Sequence, residues 1–395
     1  MTAGVLGTSV TRVLDDLNLD PATASWRRQR SGAQEDWLVL PSADRPQLLV
    51  PFVPAAADLV GHRLAVGAGA RARRRLAVAV VRSGAATHLP LRRLQISDAR
   101  LADLREWLAP GRSDTRLGVL LGPARANRKA VLVLLDQLGS PLCYAKVGRT
   151  TVSRRLVRGE AAALGKVAAL DLRLLQAPGV LRHGTWNGLD LLATTPLAGP
   201  TTQRHPTALP VAATRELLGR GVRTDVPLGA CGALAVPGGR DVPSRSLVRL
   251  AAAHSRLLIA AGDRRVPLGA AHGDWTPWNM AVRDDGVLEG WDWERFDPAA
   301  PQGLDVVHFA LAAVGPDDPP ARTAAVLAQL PAQLFACGVD ARLVHILLCT
   351  YLVHVGHRYA HDLAGQPAPS VERRLRWVLH LLEEQLPLLD PEETR

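Results

Sequence analysis

One segment concentrates the residues that can do chemistry: Ala271-His272-Gly273-Asp274-Trp275-Thr276-Pro277-Trp278-Asn279-Met280, followed by Leu288-Glu289-Gly290-Trp291-Asp292-Trp293-Glu294. A carboxylate, Asp274, and an amide, Asn279, stand five residues apart in a stretch broken by Gly and Pro, which reads as loop. A second carboxylate, Asp292, lies thirteen residues beyond Asn279, past an Asp284-Asp285-Gly286 turn that predicts a hairpin. Loop backbone can aim these three side chains into one pocket. One carboxylate and one amide suit an oxygen-ligated Mg²⁺, which takes few protein ligands and completes its shell with phosphate oxygens and water. The other carboxylate is then free to accept a hydroxyl proton.

The elements that must position these groups can be read from the pattern around them. Three apolar runs, Leu117 to Leu121, Ala130 to Leu135 and Leu142 to Val147, are separated by the loop Gly122–Lys129 and by Asp136–Pro141, which predicts an antiparallel meander. A helix follows over Val152 to Leu170, then strand-like runs at Gly179–Leu181 and Leu189–Thr194. After Pro196 the chain turns helical. Ser244–Ile259 places Leu247, Leu250, His254, Leu257 and Leu258 at helical spacing on one face, and the last ~90 residues read as three or four further helices. Upstream, Trp37 to Val53 reads as two short strands, with helical stretches at 55–64, 70–82 and Ser97–Leu108, the last with Ser97 as its N-cap. Ala109-Pro110-Gly111 breaks the pattern. The expected division is 1–110 as an accessory segment or added domain, 111–196 as a small β-rich lobe and 197–395 as a larger helical lobe.

His-Gly-Asp-x-x-Pro-x-Asn followed by a hydrophobic-Asp-Trp-Glu strand resembles the aminoglycoside phosphotransferase and choline kinase group, whose fold is similar to that of protein kinases. The resemblance implies an α+β, protein-kinase-like two-lobe fold, with a small antiparallel N-lobe, a helical C-lobe and here an extra N-terminal α/β segment. It implies that Asp274 orients and deprotonates an acceptor hydroxyl, that Asn279 and Asp292 hold Mg²⁺, that His272 braces the loop, and that Asp305 in Gly303-Leu304-Asp305 is structural. Trp275 and Trp278 depart from the usual Leu-His-Pro-Gly-Asn wording and would reshape the acceptor side. A kinase of this kind also needs a strand Lys for the α/β-phosphates and a Glu on the next helix to hold it. Lys146 ends the third apolar run and Glu160 follows in the helix at a spacing of 14, and Lys146 is one of only three lysines among 47 basic residues. The loop Gly122–Lys129, with Arg125 and Arg128, would then cover the phosphates, although it is not Gly-x-Gly-x-x-Gly and an ordinary hairpin loop is as good a reading. Leu191–Leu197 falls where the hinge would meet adenine.

Other chemistries find less support. His354, His357 and His361 share a helical face, but no Cys or Glu completes a metal set and solvated or core histidines are favoured. There is no Gly-x-Ser-x-Gly elbow, no Walker loop, and neither His-Arg-Asp nor Asp-Phe-Gly. The four cysteines, Cys143, Cys231, Cys337 and Cys349, are scattered, as expected of reduced core residues in a cytoplasmic protein. No apolar run reaches the ~18–20 residues of a membrane helix.

The net charge of +10 is unevenly spread. Residues 271–395 hold 18 acidic residues against 9 Arg, whereas residues 1–270 carry a net of +19. The densest basic run, Arg71 to Arg75, is favoured as a solvated face over a nucleic-acid site. The resulting reading is an ATP- and Mg²⁺-dependent phosphotransferase acting on a hydroxyl of a small molecule. An acidic helical lobe favours a cationic amino sugar or amine as that acceptor. The rival reading is a catalytically silent kinase-like protein that binds nucleotide or a partner.

Overall fold

The computed structural model describes residues 6–27, 36–57, 59, 78–83, 93–121, 129–197, 205–235, 245–365 and 368–389. The chain forms two compact units: Met1–Gly165 with Pro178–Gln203, and Lys166–Ala177 with Arg204–Arg395.

The first unit is built on a nine-stranded sheet. Its strands are β1 (Ala24–Arg27), β2 (Asp36–Pro41), β3 (Pro46–Pro51), β4 (Arg93–Ile96), β5 (Arg116–Leu121), β6 (Ala130–Leu135), β7 (Pro141–Gly148), β9 (Val180–Trp186) and β10 (Leu189–Thr194). They lie in the order β1-β4-β2-β3-β5-β6-β7-β10-β9, every pair antiparallel. The meander over β5, β6 and β7 runs as the apolar spacing predicts. Residues 1–110 contribute β1 to β4 to this same sheet.

Strand β6 is continuously apolar rather than alternating because both its faces are covered. Leu132 and Leu134 of β6 join one buried cluster, which also takes Val10, Val13 and Leu14 of α1 (Thr8–Asp16) and Leu101, Leu104 and Leu108 of α2 (Arg100–Leu108). Val133 and Leu135, one residue out of phase, join a second cluster with Leu38, Leu48 and Val50.

The start of α2 corrects one expectation. Ser97 does not cap it: its hydroxyl donates to the Thr23 carbonyl at 2.9 Å. Asp98 takes that role, accepting the Arg100 N–H at 3.0 Å and the Asp20 N–H at 2.9 Å. Asp at a helix entry offers a charged acceptor that Ser lacks, and the Arg100 guanidinium holds its carboxyl down at about 2. The stretches expected to be helical at 55–64 and 70–82, and the run Arg71 to Arg75, fall largely outside the described residues.

The second unit is helical: α4 (Val211–Leu218), α5 (Arg245–Ala261), α6 (Leu304–Ala312), α7 (Pro320–Ala336), α8 (Val344–Gly365) and α9 (Pro369–Gln385). Two three-stranded sheets accompany them. One joins β11 (Asp225–Pro227), β12 (Arg265–Ala271) and β15 (Asp297–Pro301); the other joins β13 (Met280–Val282), β14 (Leu288–Gly290) and β8 (Leu175–Gln176). Leu250, Leu257, Leu330, Leu347, Leu352, Leu379 and Leu382 form the centre of its core. On α5 the buried stripe is Leu250, Ala253, His254, Leu257 and Ala261, while Leu258 is 38% exposed. At about 100° per residue, Leu258 has already turned off the face that Leu257 occupies. Among the described residues no helix is long and apolar enough to cross a membrane.

Candidate active site

The first unit holds the lysine and glutamate together. On β7, Cys143, Ala145 and Val147 point into one core, so Lys146 projects from the opposite face. It lies in register with Val131 of β6 and Leu192 of β10. Its ammonium donates to both carboxylate oxygens of Glu160 at 2.7 Å each, with the side chains 17% and 2% exposed.

Glu160 sits on α3 (Thr151–Ala168), and local sequence fixes where that helix starts. The Ser153 hydroxyl accepts the Arg149 and Thr150 N–H groups at 3.0 and 2.9 Å, while the Thr150 hydroxyl accepts the Ser153 N–H at 3.2 Å. Gly148 lets the strand end pass the helix, since a Cβ there would meet the Arg154 Cα at 2.8 Å.

The second unit holds the loop. Strand β12 delivers it, and Asp305 in the first turn of α6 ties it down by accepting the His272 N–H at 2.6 Å and the Gly273 N–H at 3.0 Å. Gly273 has φ +78°, and a Cβ there would stand 2.3 Å from the Arg295 carbonyl oxygen, so only Gly fits. The His272 side chain is wholly buried. Its Nδ1 accepts the Asp274 N–H at 3.2 Å, which leaves the proton on Nε2 to donate to the Trp291 carbonyl at 2.9 Å. Burial pushes its pKa down, so it braces the loop as a neutral imidazole, with Trp293 and Trp275 rings 4.5 and 5.4 Å away.

Trp275 is a core residue whose indole N–H donates to the Thr214 hydroxyl at 3.0 Å, so it cannot shape an acceptor surface. Trp278 is 47% exposed.

This scaffold brings Asp274 and Asn279 together and sets Asp292 one residue beyond Trp291, which pairs with Asn279. Asn279 closes the short 3₁₀ turn Pro277–Asn279, and its Nδ2 donates to the Asp274 Oδ2 at 2.8 Å and to the Asp274 carbonyl at 3.0 Å. Strands β13 and β14 form the expected hairpin, and at its open end the Trp291 N–H donates to the Asn279 carbonyl at 3.0 Å. Asp292 therefore follows directly on the residue that pairs with Asn279. Asp292 has φ 66°, a left-handed conformation that Asp tolerates better than most residues.

The other Asp274 oxygen faces groups that sequence spacing did not reveal. Oδ1 is 3.4 Å from His308 Nε2 and 3.7 Å from an Arg358 guanidinium nitrogen, and the Tyr351 hydroxyl lies 3.2 Å from His308 Nδ1. Burial raises the Asp274 pKa, but the His308 hydrogen bond and the charges of Arg358 and Arg295 outweigh it, so the carboxyl stays below its ordinary range. Burial keeps His308 neutral, so the full positive charges near Asp274 belong to the arginines.

His308 follows Asp305 by three residues in the apolar helix Leu-Asp-Val-Val-His-Phe-Ala-Leu, so its polar type on the same face was a usable signal. Arg358, more than fifty residues from the motif, carried none.

The remaining candidates separate. Arg125 and Arg128 lie outside the described residues. His354 Nδ1 bonds the Ala233 carbonyl at 2.9 Å and His357 Nε2 bonds His254 Nδ1 at 3.2 Å, as core histidines do. Among the described residues no group of three or more His, Cys, Asp or Glu could hold a metal ion.

No family model matches the sequence, and no curated protein matches it. Solved structures do. A thermostable mutant of aminoglycoside phosphotransferase APH(4)-Ia, in a ternary complex with AMP-PNP and hygromycin B, aligns with a TM-score of 0.50 at 13% identity, covering 73% of this chain and 98% of that one. Amicoumacin kinase hAmiN in complex with AMP-PNP, Ca²⁺ and Ami aligns at 0.43 and 12% identity (69% and 90% covered). LicA in complex with AMP aligns at 0.43 and 10% identity (72% and 98% covered). The phosphotransferase alignment assigns the fold: α+β and kinase-like, with an antiparallel β-sheet lobe and a helical lobe.

Proposed function

We propose that this protein is an ATP-dependent phosphotransferase that moves the γ-phosphoryl group to a hydroxyl of a small molecule. The observation that carries the proposal is the Lys146–Glu160 pair, two 2.7 Å bonds at the strand and helix positions the resemblance requires. The solved phosphotransferase of similar fold holds AMP-PNP and hygromycin B, a nucleotide and a small molecule, which are the two ligand classes proposed here.

In this reading Lys146 binds the α/β-phosphates and Glu160 fixes its ammonium. Asp274, kept ionised by its surroundings, accepts the acceptor's O–H proton as the oxygen attacks phosphorus. Neutral His272 accepts the Asp274 N–H, and buried Asp305 accepts the His272 and Gly273 N–H groups, so the loop backbone is held in place.

Asn279 and Asp292 fit an oxygen-ligated Mg²⁺: Asn279 spends Nδ2 on Asp274 and so presents Oδ1, and Asp292 adds a carboxylate beside it. Bound there, the ion supplies positive charge to the phosphate oxygens. Calorimetric titration of Mg·ATP into the wild type and Asp292→Asn tests the reading. Micromolar, Mg²⁺-dependent binding that weakens at least tenfold in the variant is expected. Well-folded protein that binds no Mg·ATP overturns it and leaves a kinase fold used for another partner.

A further inference from the structure

The Asp274 carboxylate divides its surroundings. Oδ2 faces Asn279, on the side assigned to the metal, and Oδ1 faces His308 and Arg358, on the side left for the acceptor. Arg358 comes from α8 with its side chain only 17% exposed, and its guanidinium carbon lies 5.5 Å from the Tyr359 ring centroid. Arg295 leaves the chain beside Gly273, where a Cβ would stand 2.9 Å from the Arg295 Cβ, and its charge acts on both Asp274 and Arg358. The two guanidiniums repel each other, and burial together with that repulsion brings the Arg295 pKa down to about 10.

Their compensation is incomplete. Arg358 pairs with Asp274 at 3.7 Å, longer than a hydrogen bond, and the charge of Asp362 acts on both arginines. Among the described residues neither guanidinium has a hydrogen-bond partner. An arginine carries five N–H donors in a planar fork shaped for carboxylate or phosphate, and Arg358, at 17% exposure, keeps part of that fork open to an incoming group. His308 contributes no charge to offset them, being neutral.

We infer that Arg358 and Arg295 form an anion-binding subsite on the acceptor side of Asp274, so that the phosphorylated small molecule carries a carboxylate or phosphate beside its hydroxyl. This rests on the reading of Asp274 as the proton acceptor. It reverses the sign expected from the acidic balance of residues 271–395. A cationic acceptor would have to displace or face two guanidiniums at the atom where it must react.

The test compares three probes with related six-carbon polyol skeletons: D-gluconate (anionic), D-glucitol (neutral) and D-glucosamine (cationic). Each is titrated calorimetrically at constant ionic strength into the full chain, with and without saturating Mg·AMP-PNP. Gluconate is expected to bind tightest, to keep its site when Mg·AMP-PNP is bound, and to weaken at least tenfold in Arg358→Gln. Arg295→Gln supplies the same comparison should Arg358→Gln fold poorly.

Preference for glucosamine, absence of gluconate binding, or gluconate binding unchanged in both variants overturns the subsite. Gluconate expelled by Mg·AMP-PNP, or nucleotide affinity falling with gluconate affinity, assigns the guanidiniums to the nucleotide's phosphates and overturns it as well. Failure of Mg·AMP-PNP to bind strikes the phosphotransferase reading instead, and the gluconate titrations without nucleotide still decide the subsite.

Discussion

Replacing Glu160 with Gln is the most discriminating perturbation of the proposed nucleotide site. Glu160 is 2% exposed and both its oxygens accept from Lys146 at 2.7 Å, so the substitution removes one charge-assisted bond and weakens the other with almost no change in volume. Charge-assisted hydrogen bonds contribute roughly 1.5–3 kcal/mol each and neutral ones roughly 0.5–1.5. Breaking one partner of a fully buried pair costs roughly 3–5 kcal/mol. Lys146 retains 17% exposure and can draw on water, so a loss of about 2–3 kcal/mol in unfolding free energy is expected. If the tether exists to hold the ammonium for phosphates, Mg·ATP affinity falls by about ten- to a hundredfold, or 1.4–2.8 kcal/mol, while adenosine affinity is unchanged. Urea melts and paired titrations of Mg·ATP and adenosine read these quantities. A variant that loses stability yet binds Mg·ATP like the wild type would show the pair to be structural. Parallel loss of adenosine would mean that the lobe had failed rather than the phosphate contact.

Three further outcomes follow from the geometry. Gly273→Ala and Gly286→Ala both force a side chain onto positive φ, 78° and 86°, but only the first also meets backbone, at 2.3 Å. Thermal melts should show Gly273→Ala costing at least about 2 kcal/mol more than Gly286→Ala, whose conformational cost is about 1 kcal/mol. Asp98→Ala should cost about 2 kcal/mol and Ser97→Ala less than 1 by urea denaturation, because the carboxylate caps α2. The Asp98 contribution should also fade as pH drops from about 4 towards 2, since its folded pKa lies below its unfolded one. His357, held down at about 4 by burial beside His254, binds its proton less readily folded than unfolded. Stability should therefore decline as pH falls from about 6.5 to 4, and His357→Gln should flatten that slope by up to about 1 kcal/mol per pH unit in urea melts.

What the sequence disclosed follows from how local the determinants are. The β5–β6–β7 meander and the β13–β14 hairpin join neighbours in the chain through short turns, so apolar runs and turn residues suffice to predict them. The order β1-β4-β2-β3 does not follow chain order, and nothing in the composition of β4 says that it inserts between β1 and β2. The same limit applies within the site. Asp274, Asn279 and Asp292 belong to one continuous motif, and Lys146 and Glu160 to one strand–helix unit. The chain neighbours of Trp275 do not say which way its ring points, and it lies in the core. Its indole is fixed by Thr214 of α4, sixty-one residues earlier.

The charges that act on Asp274 differ from the charge balance of the segment that holds it. Residues 271–395 carry a net of −9, but many of those carboxylates are engaged at the surface with nearby cations. Asp318 pairs with Arg322, Asp340 with Arg342, Asp317 with Arg373, Glu383 with Arg249, and Asp285 with Arg283. Exposed charges are screened over about 8–10 Å at physiological salt, so pairs on the rim add little to the potential at Asp274. Buried charges are screened far less, and those acting on Asp274 most directly are Arg358 and Arg295. With His308 neutral, its hydrogen bond and the charges of Arg358 and Arg295 outweigh burial and hold the Asp274 carboxyl below its ordinary range, while Asp362 attracts the same two guanidiniums. Those charges lower the proton affinity of Asp274, which makes it a weak base. If Asp274 has the proposed role, an anion that neutralised the arginines would raise that affinity as the hydroxyl arrives.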